Sequence, residues 1–210
     1  MKIIVVGGIF EPKLYFTYGT MGSSKTAQAL MLRFSFIEKD QKVLFLKPSV
    51  DTSNDEGIVK SRVEGLEAPV LMFSAQDNLL KLYKSELKYS DCVIIDEVNF
   101  ASEQQINELK YIAEEMDIPV HTFGLGTNFQ TKLFEGSKRL FEIADTIIEI
   151  KSPYHCGKKT IVNARYKDGK IIKEGKNIFI GGNDQYKSLC YSCWQKGILN
   201  GKKKRTKNKD

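Results

Sequence analysis

Two short polar clusters carry the chemistry that this sequence can perform, and each follows an apolar run. Residues 19–26, Gly-Thr-Met-Gly-Ser-Ser-Lys-Thr, follow the run 14–18, and an Asp-Glu pair follows the run 92–95. Small residues ending in Lys-Thr are typical of a phosphate-binding loop, in which backbone N–H groups and a helix N-terminus surround polyphosphate. The two clusters together therefore predict nucleotide phosphate chemistry.

Each functional side chain in these clusters has an expected role. Lys25 is expected to reach the β- and γ-phosphates, and the hydroxyl of Thr26 to hold Mg²⁺. Asp96 is expected to hold the same ion, directly or through water, and Glu97 to take a proton from an attacking hydroxyl. The alternatives are an accidental Gly-Ser-rich turn and an acidic helix cap. Ser24 stands where the pattern G-x-x-x-x-G-K-[ST] has glycine, which requires a negative φ or a strained backbone.

The composition is that of a globular chain with a real core, with 41% hydrophobic and 28% charged residues in 210. No stretch approaches the roughly 18 apolar residues of a membrane span, and residues 2–6 lack the length and flanks of a signal peptide. We therefore expect a cytoplasmic protein without a membrane partner. Residues 201–210 contain six basic residues and one acidic residue, so most of the net charge of +6 lies there. We expect this basic tail to be disordered, and we expect no nucleic-acid partner.

Apolar runs alternate with helical patterns through the first 150 residues. The runs that predict strands are residues 43–46, 70–73, 92–95, 120–123 and 146–150. The patterns that predict helices are residues 27–36, 79–83, 102–113 and 140–144. This order predicts an α/β domain over residues 1–150, a P-loop parallel sheet flanked by helices. Residues 48–64 are interpreted as a long loop, and residues 2–6 as an N-terminal strand or extension.

The pattern changes after residue 150 to that of a small β domain, residues 151–200. Asp168 and Gly169 predict a hairpin turn between two short strands. The cysteines gather in the same region, which indicates that a metal ion holds this domain together.

Three of the four cysteines form an incomplete zinc-binding pattern. Cys190 and Cys193 make a half-site, and Cys156 is a plausible third ligand to a structural Zn²⁺. His155 is the nearest candidate for the fourth ligand, although adjacent His and Cys ligands are geometrically awkward. Pro153 stands where a matching C-x-x-C would begin. The alternative is a set of reduced thiols packed in a small core.

Two aromatic residues, Phe129 and Tyr186, lie in polar, glycine-bearing segments, which suits stacking on a planar base. The alternative for each ring taken singly is a hydrophobic plug under a loop. The sequence thus contains four motifs, at residues 19–26, 96–100, 124–129 and 180–186, and the cysteine pair follows the last of them. In this order they resemble those of the type II thymidine kinases, the class with a zinc-bound lasso domain. The resemblance implies transfer of the γ-phosphate of ATP to the 5′-hydroxyl of thymidine, with Mg²⁺ accompanying ATP and Glu97 as base. It also implies a homotetramer.

The resemblance extends to the residues of the site. The implied ATP-binding residues are Gly19, Thr20, Met21, Gly22, Ser23, Ser24, Lys25, Thr26, Asp96, Glu97, Val98 and Asn99. The implied thymidine-binding residues are Met21, Leu125, Phe129, Asn163, Asn177, Ile178, Phe179, Ile180, Gly181 and Tyr186. In such a site Phe129 packs on the thymine, and the lasso closes over the base mainly by backbone hydrogen bonds.

Departures from the family pattern leave other functions open. Ser53 stands where the family has arginine, and Asn163 stands where a threonine often faces the base. One alternative is therefore a deoxynucleoside kinase with an altered base preference. A second is a P-loop ATPase or nucleic-acid-binding protein, and a third is a binding protein that has lost turnover.

Overall fold

The computed structural model describes residues 11–49, 57–154, 156–175 and 185–199. The predicted N-terminal strand or extension, most of the lasso, Ser53, His155 and the basic tail lie outside these residues. Among the described helices, none combines the length and the apolar character needed to cross a membrane.

The main sheet has six parallel strands in the order β5-β2-β6-β7-β1-β8. These strands are β1 (Leu14–Gly19), β2 (Val43–Pro48), β5 (Leu71–Phe73), β6 (Cys92–Ile95), β7 (Val120–Gly124) and β8 (Thr146–Ile150). Their apolar runs are nearly continuous because helices cover both faces of a parallel sheet. The predicted α/β class and parallel sheet are confirmed.

The main sheet separates two layers of apolar core, and helices cover each layer. The helices are α1 (Lys25–Ile37), α2 (Leu79–Leu82), α3 (Lys84–Leu87), α4 (Glu103–Glu115) and α5 (Glu135–Ile143), with a 3₁₀ helix at Val98–Phe100. The larger apolar cluster includes Leu14, Phe16 and the buried face of α4, and the smaller lies under α1. The predicted capping box is present, because Ser102 Oγ accepts from the Gln105 N–H and the Gln105 side chain accepts from the Ser102 N–H.

The interpretation of residues 48–64 as a long loop was wrong for residues 58–60, which form a strand. A two-stranded antiparallel hairpin forms there from β3 (Ile58–Lys60) and β4 (Glu67–Pro69). Each strand has three residues, and only the central ones, Val59 and Ala68, are buried. Such short segments contain too little apolar periodicity to predict a strand. The helix predicted at residues 79–83 is confirmed as α2, and a second short helix, α3, follows it directly.

A second, three-stranded sheet follows the first. Its strands are β9 (Val162–Lys167), β10 (Lys170–Ile172) and β11 (Tyr186–Leu189), in the antiparallel order β10-β9-β11, and α6 (Tyr191–Gln195) follows. Asp168 and Gly169 have φ values of 49° and 74°. Two consecutive positive φ values are what a two-residue hairpin turn of type I′ requires. The predicted hairpin is confirmed.

Candidate active site

The phosphate loop joins β1 to α1 at the carboxyl edge of the main sheet. Because α1 begins at Lys25, its first backbone N–H groups have no partner within the helix. The ammonium of Lys25 bends back over the loop and donates to the carbonyl oxygens of Gly19 at 3.1 Å and Thr20 at 2.8 Å. It also lies 3.3 Å from Ser23 Oγ. A cation and a helix N-terminus therefore meet at the loop, as an anion site requires.

The environment of Lys25 favours the neutral form of its amino group. Burial lowers the pKa of Lys25 to about 8, against the opposing effect of the carboxylates of Asp96 and Glu97. The guanidinium of Arg62 lowers this pKa further. An anion placed in the loop would favour the charged form again.

Ser24 has the strained backbone conformation and not one with a negative φ. Its φ of 65° and ψ of 22° place it in the left-handed region, where glycine is usual. The side chain is exposed and makes no cap hydrogen bond. The backbone turn of a glycine-containing phosphate loop is therefore retained by a serine, at a conformational cost.

The two carboxylates extend from the end of β6 toward the phosphate loop. Asp96 is 3% exposed, and its carboxylate is hydrogen-bonded by the side chain of Thr26. Burial and the charge of Glu97 raise the pKa of Asp96 to about 6, although Thr26 and Lys25 oppose this shift. A buried carboxylate beside a hydroxyl is a donor set that suits Mg²⁺.

Glu97 is held in an uncommon backbone conformation beside a cation. Its φ of 54° is left-handed, and non-glycine residues in that region cluster at functional sites. One carboxylate oxygen lies 3.5 Å from the ammonium of Lys47, and the side chain of Glu97 is 45% exposed. The carboxylate is thus open to a ligand in the cleft.

One cleft of about 470 Å³ brings most of the predicted residues together. Its volume is typical of small-molecule sites, which span roughly 300–1,000 Å³. The predicted residues that line it are Met21, Gly22, Ser23, Ser24, Lys25, Thr26, Asp96, Glu97, Asn99, Leu125, Phe129, Asn163 and Tyr186. Phosphate-binding, acidic and aromatic groups therefore share one cavity.

Three predicted residues are placed elsewhere. Val98 is fully buried in the larger apolar cluster, and Gly19 and Thr20 line a second cavity of about 310 Å³. The lasso residues Asn177, Ile178, Phe179, Ile180 and Gly181 lie outside the described residues. The aromatic ring of Phe129 is only 2% exposed, and the guanidinium of Arg165 lies 5.5 Å from its centroid.

Both polar atoms of the Asn163 side-chain amide form hydrogen bonds with backbone groups. Its Oδ1 accepts from the Met21 N–H at 2.7 Å, and its Nδ2 donates to the Thr127 carbonyl at 3.1 Å. It lines the cleft, but these bonds direct both polar ends to the two loops beside it.

Sequence reasoning assigned no role to two basic residues of the site. Arg62 lines the cleft from the turn between β3 and β4, and one of its guanidinium nitrogens lies 3.6 Å from where a Cβ would stand on Gly22. Lys47 reaches Glu97 from β2. Position at the carboxyl end of a parallel strand is a signal that could have found Lys47, because neighbouring strands end at the same edge. The place of Arg62 in the cleft could not be predicted, because it lies in the turn of a hairpin that has no clear sequence pattern.

The three predicted zinc-binding thiols converge beside the small sheet. The Sγ atoms of Cys156, Cys190 and Cys193 all lie within 4.8 Å of one another, and the first two are 3.4 Å apart. A tetrahedral Zn²⁺ with bonds of about 2.3 Å would separate two thiolates by roughly 3.8 Å. The three thiols therefore fit three positions of such a site, and the fourth candidate, His155, lies outside the described residues.

A parallel sheet with a phosphate loop, an acidic pair at the end of a neighbouring strand and a cleft with aromatic residues defines a P-loop phosphotransferase. The family model described as thymidine kinase matches residues 12–194. The thymidine kinase of Rhodopirellula baltica is 38% identical over 181 residues, which cover 85% of each chain. That of enterobacteria phage T4 is 39% identical over 184 residues, covering 86% of this chain and 94% of the phage protein.

This chain belongs to the thymidine kinase family. The predicted family and the prediction of an enzyme are confirmed, and kinases of this family use ATP and a divalent metal ion. The alternative of a nucleic-acid-binding ATPase is not favoured.

Proposed function

We propose that this protein transfers the γ-phosphate of ATP to the 5′-hydroxyl of thymidine, giving thymidine monophosphate and ADP. The observation that carries the proposal is the shared cleft, in which Lys25, Glu97 and Phe129 line one cavity. A phosphate donor at the loop and a base at the aromatic end would place a sugar hydroxyl between them. The matching family and relatives support the same substrate.

The donor side of the reaction is assigned to the phosphate loop. Lys25 would transfer its hydrogen bonds from the loop carbonyls to the β- and γ-phosphate oxygens, where it offsets the charge that develops during transfer. Thr26 and Asp96 would hold Mg²⁺, which supplies further charge neutralisation and orients the phosphates when bound. Arg62 adds a second cation beside Gly22 of the loop.

The acceptor side is assigned to Glu97. Its carboxylate would take the proton of the 5′-hydroxyl as the oxygen bonds to the γ-phosphorus, while the bond to the β,γ-bridging oxygen breaks and ADP leaves. The Lys47 ammonium orients this carboxylate at the edge of the cleft. Proton transfer and phosphoryl transfer are thus served by two adjacent residues, Glu97 and Asp96.

The thymine ring is assigned to the end of the cleft lined by Met21, Leu125, Phe129 and Tyr186. Aromatic and thioether side chains pack well on the faces of a flat ring and on the methyl group of thymine. We propose that the lasso residues 177–181 also bind the base, mainly through backbone hydrogen bonds. Competition among thymidine, deoxyuridine and deoxycytidine would measure the base preference of this pocket.

We further propose that Cys156, Cys190 and Cys193 hold a structural Zn²⁺ that fixes β11 and α6 to the segment before β9. Removal of the metal by a chelator is expected to lower the melting temperature and to expose three additional reactive thiols. Metal analysis should find about one zinc per chain. Absence of zinc in protein purified without chelator would contradict the assignment.

The predicted homotetramer, domain division and compartment also remain proposals. Met31, Phe34 and Ile37 expose an apolar stripe on α1, which supports self-association. The end of β8 at Ile150 supports a division between the main sheet and the small sheet near residue 151. None of the four cysteines, all within the described residues, forms a disulfide, which supports a reducing compartment such as the cytoplasm. Light scattering of the purified protein would measure the assembly directly.

The test of the function is a nucleoside phosphorylation assay on the wild type and Glu97→Gln. Wild type with Mg²⁺ and ATP is expected to phosphorylate thymidine, and Glu97→Gln to lower kcat by about 10²- to 10⁴-fold while ATP affinity changes little. Glu115→Gln, an exposed substitution on α4, is the matched control. A wild type that leaves all three deoxynucleosides unphosphorylated, or ATP turnover that responds to nucleic acid but not to thymidine, would refute the proposal.

A further inference from the structure

Both backbone polar groups of Met21 are bound by side chains of the small sheet. The Met21 N–H donates to Asn163 Oδ1 at 2.7 Å, and the Ser188 hydroxyl donates to the Met21 carbonyl at 2.6 Å. Asn163 and Ser188 are directly opposed in the antiparallel pair of β9 and β11. Side chains of opposed residues project from the same face of a sheet. Two neighbouring side chains therefore form one clamp on the phosphate loop.

The second end of the Asn163 amide extends this clamp to another loop of the cleft. Its Nδ2 donates to the carbonyl of Thr127, in the segment between Leu125 and Phe129. Because one neighbour is an N–H and the other a carbonyl, only one orientation of the amide satisfies both. Asn163 itself is only 3% exposed, so the amide end of each bond is largely shielded from bulk water.

The first half of the phosphate loop combines this external support with a turn of its own, in which the Ser23 N–H donates to the Thr20 carbonyl at 3.2 Å. Gly22, which follows Met21, is exposed and has a φ of 74°, and glycine adopts many backbone conformations at little cost. The second half of the loop is anchored differently, because the carbonyl of Ser24 accepts the Gln28 N–H within α1. The backbone of Met21 is therefore held by side chains from outside the loop as well as by the turn around it.

We propose that Asn163 and Ser188 are positioning residues that act through Met21 to set the wall of the cleft facing the nucleoside. This inference rests on the proposed function. Met21 lines the cleft together with Leu125 and Phe129, whereas its N–H and carbonyl are committed to the clamp. The clamp consequently controls the nucleoside end of the cleft, and α1 controls the phosphate end.

Steady-state kinetics of Ser188→Ala test the clamp. This variant removes the hydroxyl while leaving Asn163 intact, and the KM for thymidine is expected to rise roughly 3- to 10-fold, the effect of losing one hydrogen bond. The KM for ATP and kcat are expected to stay within about twofold of wild type, because Lys25 and Glu97 keep their own supports. Ser188→Thr retains the hydroxyl and should restore the KM for thymidine. Ser90→Ala, which loses a hydroxyl bond to a carbonyl at 2.8 Å far from the cleft, is the matched control.

A double-mutant cycle with Met21→Ala separates positioning from general stabilisation. If the clamp acts through the Met21 side chain, Ser188→Ala should have little further effect on the KM for thymidine once that side chain is removed. Equal effects in both backgrounds, or a lower melting temperature with an unchanged KM, would overturn the inference. These outcomes require an active wild type, so they are distinct from failure of the proposed function, in which the wild type itself forms no thymidine monophosphate.

Discussion

The ammonium of Lys47 lies 3.5 Å from a carboxylate oxygen of Glu97. Lys47 belongs to β2 and Glu97 follows β6, and these strands are parallel neighbours in the main sheet. The parallel register therefore brings a lysine and a glutamate together at the edge where the phosphate loop also lies. The contact joins the proposed base to a strand whose residues do not themselves line the cleft.

Replacement of Lys47 tests whether this contact orients the base. Lys47→Met is expected to lower kcat by roughly 10-fold, because a displaced base reduces the fraction of productive geometry. The KM for ATP should change little, since Lys25 and Thr26 are untouched. Lys47→Arg keeps the charge and should retain more of the activity. A Lys47→Met enzyme with wild-type kcat would exclude an orienting role for the contact.

Ser24→Gly is expected to stabilise the protein. Glycine adopts the φ of 65° observed at residue 24 without the cost of roughly 1–2 kcal/mol that a side chain incurs there, although its greater freedom in the unfolded chain cancels part of the gain. A net gain of about 0.5–1 kcal/mol should raise the melting temperature by roughly 1–4 °C. Ser24→Ala, which keeps a Cβ, should show no such rise. Equal melting temperatures for both variants would argue against strain at this position.

The buried carboxyl of Asp96 should make stability depend on pH in metal-free buffer. Its pKa of about 6 is above its ordinary value of 3.8, so between these values the folded state binds more protons than the unfolded state. This group therefore makes the free energy of unfolding fall as pH rises from about 4 to 6, and the loss persists above pH 6. Asp96→Asn should remove it and be more stable than wild type at pH 7.5, by on the order of 1–3 kcal/mol.

Chemical denaturation at pH 4.5 and 7.5 in the presence of a chelator would measure the difference between wild type and Asp96→Asn. The same variant is expected to lose most of its phosphoryl-transfer activity. An Asp96→Asn protein that is less stable than wild type at pH 7.5 would contradict the prediction.

Binding of ATP is expected to be linked to proton uptake at pH 8. Burial holds the pKa of Lys25 near 8, so about half of the molecules carry a neutral amine at that pH. Phosphate oxygens in the loop favour the ammonium and should draw a fraction of a proton from the buffer. Calorimetry in two buffers with different ionisation enthalpies would measure this uptake. Lys25→Arg, which stays charged, should show little, and uptake of equal size in that variant would assign the proton to another group.

The local chemistry of this protein is determined by its sequence alone. The small residues before Lys25, the acidic pair after a buried strand and the alternation of apolar runs predict the phosphate loop, the order of elements and the parallel sheet. These features depend on residues that are adjacent in the chain or repeat at a fixed spacing, so their physical consequences are local.

The tertiary structure alone decides which distant groups meet. Arg62 reaches the cleft through a hairpin with only two buried residues at the centres of its strands, and Ser188 reaches Met21 from 167 residues away. Asn163 illustrates the difference most clearly: the family resemblance implies a role in thymidine binding, and only the packing of two loops reveals the bonds from its amide to the backbone. Such contacts follow from the joint packing of several elements, and each element's own pattern is compatible with other partners.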